Sequence, residues 1–357
     1  MIAEKRTRES YHQWSEISKT QLSIFKGTRS TSGENEWDRN RSEYHDEVVM
    51  GNRKTFDSEA IVTGTIVHEA LLMNRYLTEF CVVYPPCCYS HESGKLNSSK
   101  AKLFKEYATK EFNERLLMFV FVPEKFVIKS GNGISKKPEA QRWLNAAREV
   151  NPSVKIISQN DFREFEAAMS CLNDRKSIAE YVITNDQAIK CNNVITKIEE
   201  SEFSKWINSS NCEDPICWDE TVSTALGSHD FRFRCCPDFV SVVDDVVLAF
   251  DLKITANEKP AGFAKQVKRF AYWLQDAHYT VGLQSRYPNH RVDYRFVAVN
   301  PDTLNCGLYS LNPHSRDVSL EERMVLIKDL ALCYQSQDWT NEWQKSEHQL
   351  VLSHFDF

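Results

Sequence analysis

The sequence predicts an α/β or α+β chain built around one mixed sheet flanked by helices. Three observations predict it. Strand-like and helix-like stretches alternate and intermingle along the chain instead of segregating. Between Asp230 and Ile254 three short runs read as consecutive strands, separated by Pro237-Asp238 and by Asp244-Asp245. A long helical pattern follows, and then another strand. The 357 residues suffice for one large domain or two ordinary ones, and 41% hydrophobic with 26% charged residues is ordinary for a globular protein.

The elements follow in order. Glu16 to Phe25 reads as a short helix capped by Ser18, with Gln21 in the capping-box position. Lys26 to Arg53 is polar and poor in aliphatic residues, and is expected to be loop. Ser58 to Arg75 reads as a helix, with Ile61, Thr65, His68 and Leu72 at helical spacing. Gly64, one turn before His68, lets another backbone approach or leaves space above the ring. Phe80 to Tyr84 reads as a strand ended by Pro85-Pro86, and His91 to Lys110 as a polar insertion with room for a lysine-rich helix. Arg115 to Val122 is apolar enough for a buried strand, and Lys129 to Gly133 reads as a turn. Helices are expected over Ala140–Val150 and Asp161–Cys171, with a strand at Val154–Ile157 between them. Glu202 to Ile207 reads as a strand, and Asn208 to Gly227 as a polar excursion. Phe231–Cys235, Phe239–Val243 and Val246–Ile254 are the three strands named above. Gly262–Val281 reads as one long helix, Arg291–Val299 as a strand and Ser319–Ser336 as a terminal helix.

The net charge of −6 argues against a chain coated in basic residues, although a local basic channel is compatible with it. Met1–Ser10 is charged and lacks the apolar stretch of a secretory leader, and no run of about 18 apolar residues occurs. A cytoplasmic, non-membrane protein is expected. Its 11 cysteines then read as mostly reduced, buried thiols. Cys212 and Cys217 with Cys235-Cys236 lack zinc-ribbon spacing, and Cys306 and Cys333 are too dispersed for an iron–sulfur pattern.

The chemistry concentrates in Cys235-Cys236-Pro237-Asp238 and Asp251-Leu252-Lys253. A hairpin brings Asp238 beside Asp251, and two neighbouring carboxylates call for a cation, commonly a divalent metal. Strand alternation puts Val247, Ala249, Asp251 and Lys253 on one face and Val246, Leu248, Phe250, Leu252 and Ile254 on the other, which is expected to be the core face. In the helix that follows, Lys265, Lys268, Tyr272, Gln275 and Tyr279 form a polar and aromatic stripe. Together with Arg269, Lys265, Lys268 and Tyr272 are the candidate contacts for phosphates and sugars, DNA under the resemblance given below: lysines supply point charge for phosphates, and Tyr and Gln supply hydrogen bonds. Phe263, Val267, Phe270, Leu274 and Val281 make the apolar side.

These motifs, in this order, resemble the PD-(D/E)XK nucleases of the RecB-like branch, and more closely the RecE (exonuclease VIII) nuclease domain family. The segments that carry the resemblance are Gly64–Leu72 with His68, Arg234–Asp238, Phe250–Thr255 and Tyr272–Tyr279, and Ile17–Leu22 resembles the family's opening segment. The resemblance implies a restriction-endonuclease-like core in a single nuclease domain over 1–357. Residues 10–130 would form an N-terminal helical part with the metal-site histidine, 200–300 the catalytic core and 301–357 a C-terminal helical part. It implies that His68, Asp238, Asp251 and the Leu252 carbonyl hold Mg²⁺ (or Mn²⁺), and that Lys253 orients the attacking water. Gln275 and Tyr279 would position the substrate strand, and Glu202 stands where some relatives carry an extra acid. The implied activity is exonuclease digestion of double-stranded DNA ends with 5′→3′ polarity, leaving 3′ single strands for recombination through an annealing protein of RecT type. The implied assembly is a homo-oligomer, a ring in this branch. An endonuclease in phage defence and a catalytically silent DNA-end binder are the alternatives. Segments 81–110 and 208–227 are longer than in a compact RecE domain, and 349–357 lacks a proline-containing tail.

Overall fold

A computed structural model describes residues 16–26, 41–50, 59–90, 93–110, 179–209, 211–212 and 214–340, with residue 145 and four short strands between 119 and 158. The chain divides into two compact units, residues 1–74 with 193–357, and residues 75–192. No helix among the described residues is long and apolar enough to cross a membrane.

In chain order, the first unit opens with α1 (Lys19–Lys26), α2 (Arg41–Tyr44) and α3 (Glu59–Leu72). The capping box forms as the sequence predicts: the Ser18 N–H donates to Gln21 Oε1 at 2.6 Å. Helix α2 runs on into a π-turn at His45–Val49, so part of the expected loop is helical. The reason is Tyr44, which is buried between Phe25 and Trp339. On α3 the buried residues are Thr63, Ile66, Val67, Ala70, Leu71 and Leu72, whereas Ile61 is exposed. The space above Gly64 is open.

The second unit holds α4 (Leu77–Phe80), β1 (Cys81–Val83), α5 (Ser98–Ala108), β2 (Phe119–Val122), β3 (Val127–Ser130), β4 (Gly133–Lys136), β5 (Lys155–Ser158) and β6 (Tyr181–Ile183). Asn97 caps the lysine-rich α5 through the N–H groups of Ser99 and Lys100. The turn expected at 129–133 is narrower, because Lys129 and Ser130 already pair with Ile134 and Gly133. The helices expected over 140–150 and 161–171 lie outside the described residues, residue 145 apart. Then come α6 (Asn185–Glu199), which no sequence signal above had marked, and α7 (Ser204–Ser209).

Helix α7 corrects the strand expected at Glu202–Ile207. Ser201 accepts the Phe203 N–H on its hydroxyl, and its carbonyl takes the Ser204 hydroxyl, which starts a helix. Phe203 and Trp206, one turn apart, then share a side, and Trp206 stacks on Phe250 at 4.6 Å. Alternation over six residues was too short to separate the two periods.

The remaining elements are β7 (Asn211–Cys212), β8 (Ile216–Thr224), β9 (Gly227–Cys235), β10 (Phe239–Val243), β11 (Val246–Ile254), α8 (Pro260–Arg269), α9 (Tyr272–Arg286), β12 (Arg291–Val299), β13 (Cys306–Tyr309) and α10 (Pro313–Ser336). One mixed five-stranded sheet runs β13-β12-β11-β10-β7, in which β11 and β12 are parallel and the other neighbours antiparallel. The chain is therefore α/β with a mixed sheet and flanking helices, the class the sequence predicts. Strands β8 and β9 form a separate hairpin of nine paired positions. That hairpin corrects the excursion expected at 208–227. Ile216, Trp218 and Val222 point inward in alternation, but Glu220 shares their side and disguises it. Glu220 is held there by the buried Arg323 through two bonds of 3.1 and 2.7 Å.

Two further expectations change. The long helix is broken: Ala271 takes a left-handed conformation (φ 49, ψ 46) between α8 and α9, which leaves Phe270 exposed instead of on the apolar side. The terminal helix starts earlier, at Pro313, capped by Asn312. The apolar core joins β8, β9 and the Val247–Ala249 and Val292–Ala298 faces of β11 and β12 to α1, α9 and α10. Gly282 permits the approach of α9, since a Cβ there would lie 2.7 Å from both Cys235 Sγ and Trp218 Cζ3.

Candidate active site

The site grows from the centre of the sheet. Strand β11 is paired on both edges, with β10 and β12. Both its faces are covered, which corrects the expected core face: Val247 and Ala249 belong to the main core and Asp251 is buried on the same face, while Phe250 and Leu252 pack beneath Trp206. Asp251 is therefore a carboxylate inside a hydrophobic wall, only 4% exposed. Antiparallel pairing of Phe239 with Phe250 brings Asp238, 6% exposed, to its side.

Each carboxylate has its own set of partners. Asp238 Oδ2 accepts the Leu252 N–H at 2.7 Å and lies 3.5 Å from His68 Nδ1. His68 Nε2 in turn bonds the Leu252 carbonyl at 3.0 Å. Asp251 Oδ1 accepts Lys253 Nζ at 2.6 Å and Gln275 Nε2 at 2.7 Å, and its Oδ2 accepts the Tyr294 hydroxyl at 2.5 Å. Of the residues marked from sequence, His68, Asp238, Asp251, Leu252, Lys253 and Gln275 thus meet in one bonded cluster. Tyr272 joins through its ring, 5.0 Å from Lys253 Nζ. Tyr279 packs edge-on against Tyr294 at 5.7 Å. Lys265, Lys268 and Arg269 are exposed on α8. Glu202 lies in an exposed turn before α7, not on a strand, and makes no bond to the cluster among the described residues.

Two members escaped the sequence reading. Tyr294 reaches Asp251 because β12 runs parallel to β11 with Ala249 opposite Tyr294 and Asp251 opposite Phe296, so all four share one face. The alternation Val292, Tyr294, Phe296 was visible, but the strand partner was not. Lys19, in the opening segment, comes near through α1: its Nζ donates to the Phe270 carbonyl at 3.1 Å and lies 5.7 Å from the Tyr272 ring.

Burial and pairing drive the two carboxylates apart electrically. Burial and the neighbouring Asp238 hold Asp251 above the ordinary range, against the opposing pull of Lys253 and Tyr294. Burial works the same way on Asp238, but the His68 charge and hydrogen bond, Lys253 and the Leu252 N–H outweigh it and hold Asp238 low. Burial opposes protonation of His68, and Asp238 overcomes it, so the imidazole is raised. Burial likewise opposes the charge on Lys253, and Asp251, Tyr272 and Asp238 overcome it, so the ammonium stays charged and acts as a donor, not a base. Paired carboxylates pushed in opposite directions are a frequent arrangement of catalytic sites.

The donor set suits a hard divalent ion: two carboxylates, one imidazole and one carbonyl oxygen. Oδ1 of Asp238 receives no hydrogen bond among the described residues, which leaves it available to a cation. His68 Nε2 and the Leu252 carbonyl are bonded to each other and Asp251 to Lys253, Gln275 and Tyr294; no group of three His, Cys, Asp or Glu side chains among the described residues is placed to hold a metal ion. Elsewhere, burial pushes the Cys88 thiol up to about 12, Cys191 to about 11 and Cys235 well above its ordinary value.

No known family model matches the chain, and no curated protein matches it. Among solved structures, a protein from Eubacterium rectale with a provisional assignment as an exonuclease is similar over 98% of this chain and 97% of its own, at 11% identity and a TM-score of 0.48. The protein SSO0001 is similar over 63% of this chain and 87% of its own, at 8% identity and a TM-score of 0.24. At these scores it is the site's own geometry that bears on function.

Proposed function

We propose that this chain is a divalent-metal-dependent deoxyribonuclease of the PD-(D/E)XK kind, an exonuclease acting on double-stranded DNA ends. The observation that carries the reading is the convergence of Asp238, Asp251, the Leu252 carbonyl and His68 beside a charged Lys253. His68, Asp238, Asp251 and the Leu252 carbonyl would hold Mg²⁺, with Mn²⁺ able to substitute. When bound, the ion polarises the phosphoryl oxygen and lowers the pKa of coordinated water. Lys253 donates toward the charge that develops on the phosphate, and Gln275 steadies Asp251. The exposed Lys265, Lys268 and Arg269 on α8 would meet the DNA backbone. The 5′→3′ polarity, a RecT-type annealing partner, a ring-shaped homo-oligomer and a cytoplasmic location complete the reading. The first three rest on the resemblance to the RecE family, and the location on the reading of the cysteines as reduced thiols.

The test is incubation of end-labelled linear duplex with and without Mg²⁺. Wild-type protein shortens the duplex from the 5′ ends, and chelation stops it. Asp251→Ala and Lys253→Ala should lose at least a hundredfold in rate, as expected for loss of a charge-stabilising group. Full activity in either variant sinks the reading. Covalently closed circles should remain intact, and their cleavage would redirect the reading to an endonuclease.

A further inference from the structure

Two ammonium groups share one aromatic neighbour in this site. Lys253 Nζ lies 5.0 Å and Lys19 Nζ 5.7 Å from the centre of the Tyr272 ring. Lys19 comes from far earlier in the sequence, on the first residue of α1, and the capping box of Ser18 and Gln21 fixes that helix end. Its single hydrogen bond among the described residues goes to the Phe270 carbonyl, at the C-terminal end of α8. A lysine has three N–H donors, so two are left. Burial and the adjacent Lys253 pull the Lys19 ammonium down to about 7, with Asp251 opposing. Asp251 makes no hydrogen bond to Lys19 among the described residues, and its oxygens accept Lys253, Gln275 and Tyr294. Two neighbouring cations beside one ring repel each other unless an anion joins them.

We infer that Lys19 is a second phosphate-holding cation of the site, gripping a substrate phosphate beside the one that Lys253 faces. The inference rests on the phosphodiester reading above and adds a substrate contact from α1 to it. Lys19 is thus a binding residue brought in by a helix remote in sequence from the carboxylates, and the bond to Phe270 holds its ammonium in reach.

The rival role is purely structural: Lys19 caps the Phe270 carbonyl and nothing more. Lys19→Gln separates the two, since glutamine keeps an N–H donor for the carbonyl and removes the charge. Lys19→Arg keeps both. Binding of a fluorescent blunt duplex is measured by anisotropy in Ca²⁺, with a gel to show that the DNA stays uncut, at several salt concentrations. One lost phosphate contact makes the plot of log K against log salt shallower by about 0.9, and weakens binding roughly tenfold at 0.1 M salt. Lys19→Gln should show both changes at an unaltered melting temperature, and Lys19→Arg neither. An unchanged slope in Lys19→Gln overturns the inference. So does a loss of binding that comes with a lowered melting temperature in both variants, because that is the capping role. Wild-type protein that neither binds nor cuts the duplex fails the nuclease reading itself, and this inference with it. Wild-type protein that cuts normally beside an unchanged Lys19→Gln slope overturns the Lys19 role alone.

Discussion

Tyr294→Phe isolates what holds the buried charge of Asp251. The substitution removes one oxygen and leaves the ring, which packs against Tyr279 and Phe296. Tyr294 is fully buried and Asp251 is 4% exposed, so water does not replace the lost donor. The hydroxyl is the only protein donor on Oδ2 among the described residues. A hydrogen bond to a buried ionised group contributes roughly 1.5–3 kcal/mol, and one to a neutral amide about 1 kcal/mol. Tyr294→Phe should therefore lower stability by roughly 1.5–3 kcal/mol in the wild-type background, and by about 1 kcal/mol beside Asp251→Asn. The four proteins of this cycle are unfolded in guanidinium, following the fluorescence of the chain's eight tryptophans. Equal losses in both backgrounds would refute the reasoning, because the hydroxyl would then not be balancing a charge.

Three further outcomes are expected. His278 is buried and neutral: its Nε2–H donates to the Arg234 carbonyl at 3.0 Å and its Nδ1 accepts Arg323 Nε at 3.3 Å. Burial, with Arg323 beside it, holds its pKa well below 6.5. The unfolded chain then binds a proton near pH 6.5 that the folded chain refuses, so this contribution to stability is full above that pH and is lost as pH falls toward the folded value. His278→Gln, which keeps a donor and an acceptor, should flatten the decline between pH 7 and 5 in pH-dependent melting. Gly282→Ala should destabilise by roughly 1–3 kcal/mol through overpacking against Cys235 and Trp218, and a melting temperature equal to wild type would contradict that contact. Replacing Lys265, Lys268 and Arg269 together with Ala should weaken duplex binding at low salt and reduce its salt dependence while the melting temperature holds, since all three are exposed.

The middle of the fold was legible because its strands carry strong local signals. Phe239–Val243, Val246–Ile254 and Arg291–Val299 form as read, and Asp244 makes the turn in a left-handed conformation. The Asp238–Asp251 pairing follows from that hairpin alone. What stayed hidden depends on partners distant in sequence. Glu220 looked like surface because nothing local announces Arg323, which lies on α10. Tyr294 joined the site only through the parallel register of β12 on β11. The break at Ala271 carries neither Gly nor Pro, the two residues that punctuate helices in sequence. Both faces of β11 are buried, and the apolar one was mistaken for the only core face because Asp251 and Lys253 mask the other.

The left-handed residue at Ala271 also makes the two helices separate modules. A continuous helix would fix the angular position of Lys265 and Lys268 relative to Gln275 at 100° per residue. With the phase reset between them, the exposed side of α8 can lose or gain a charge without turning Gln275 off Asp251. The exposed charges of α8, proposed above to meet DNA, are thereby free to diverge without re-aiming the carboxylate cluster. Exchanging only the exposed charges of α8, with Phe263 and Gln266 kept, would leave the carboxylate cluster aimed as before.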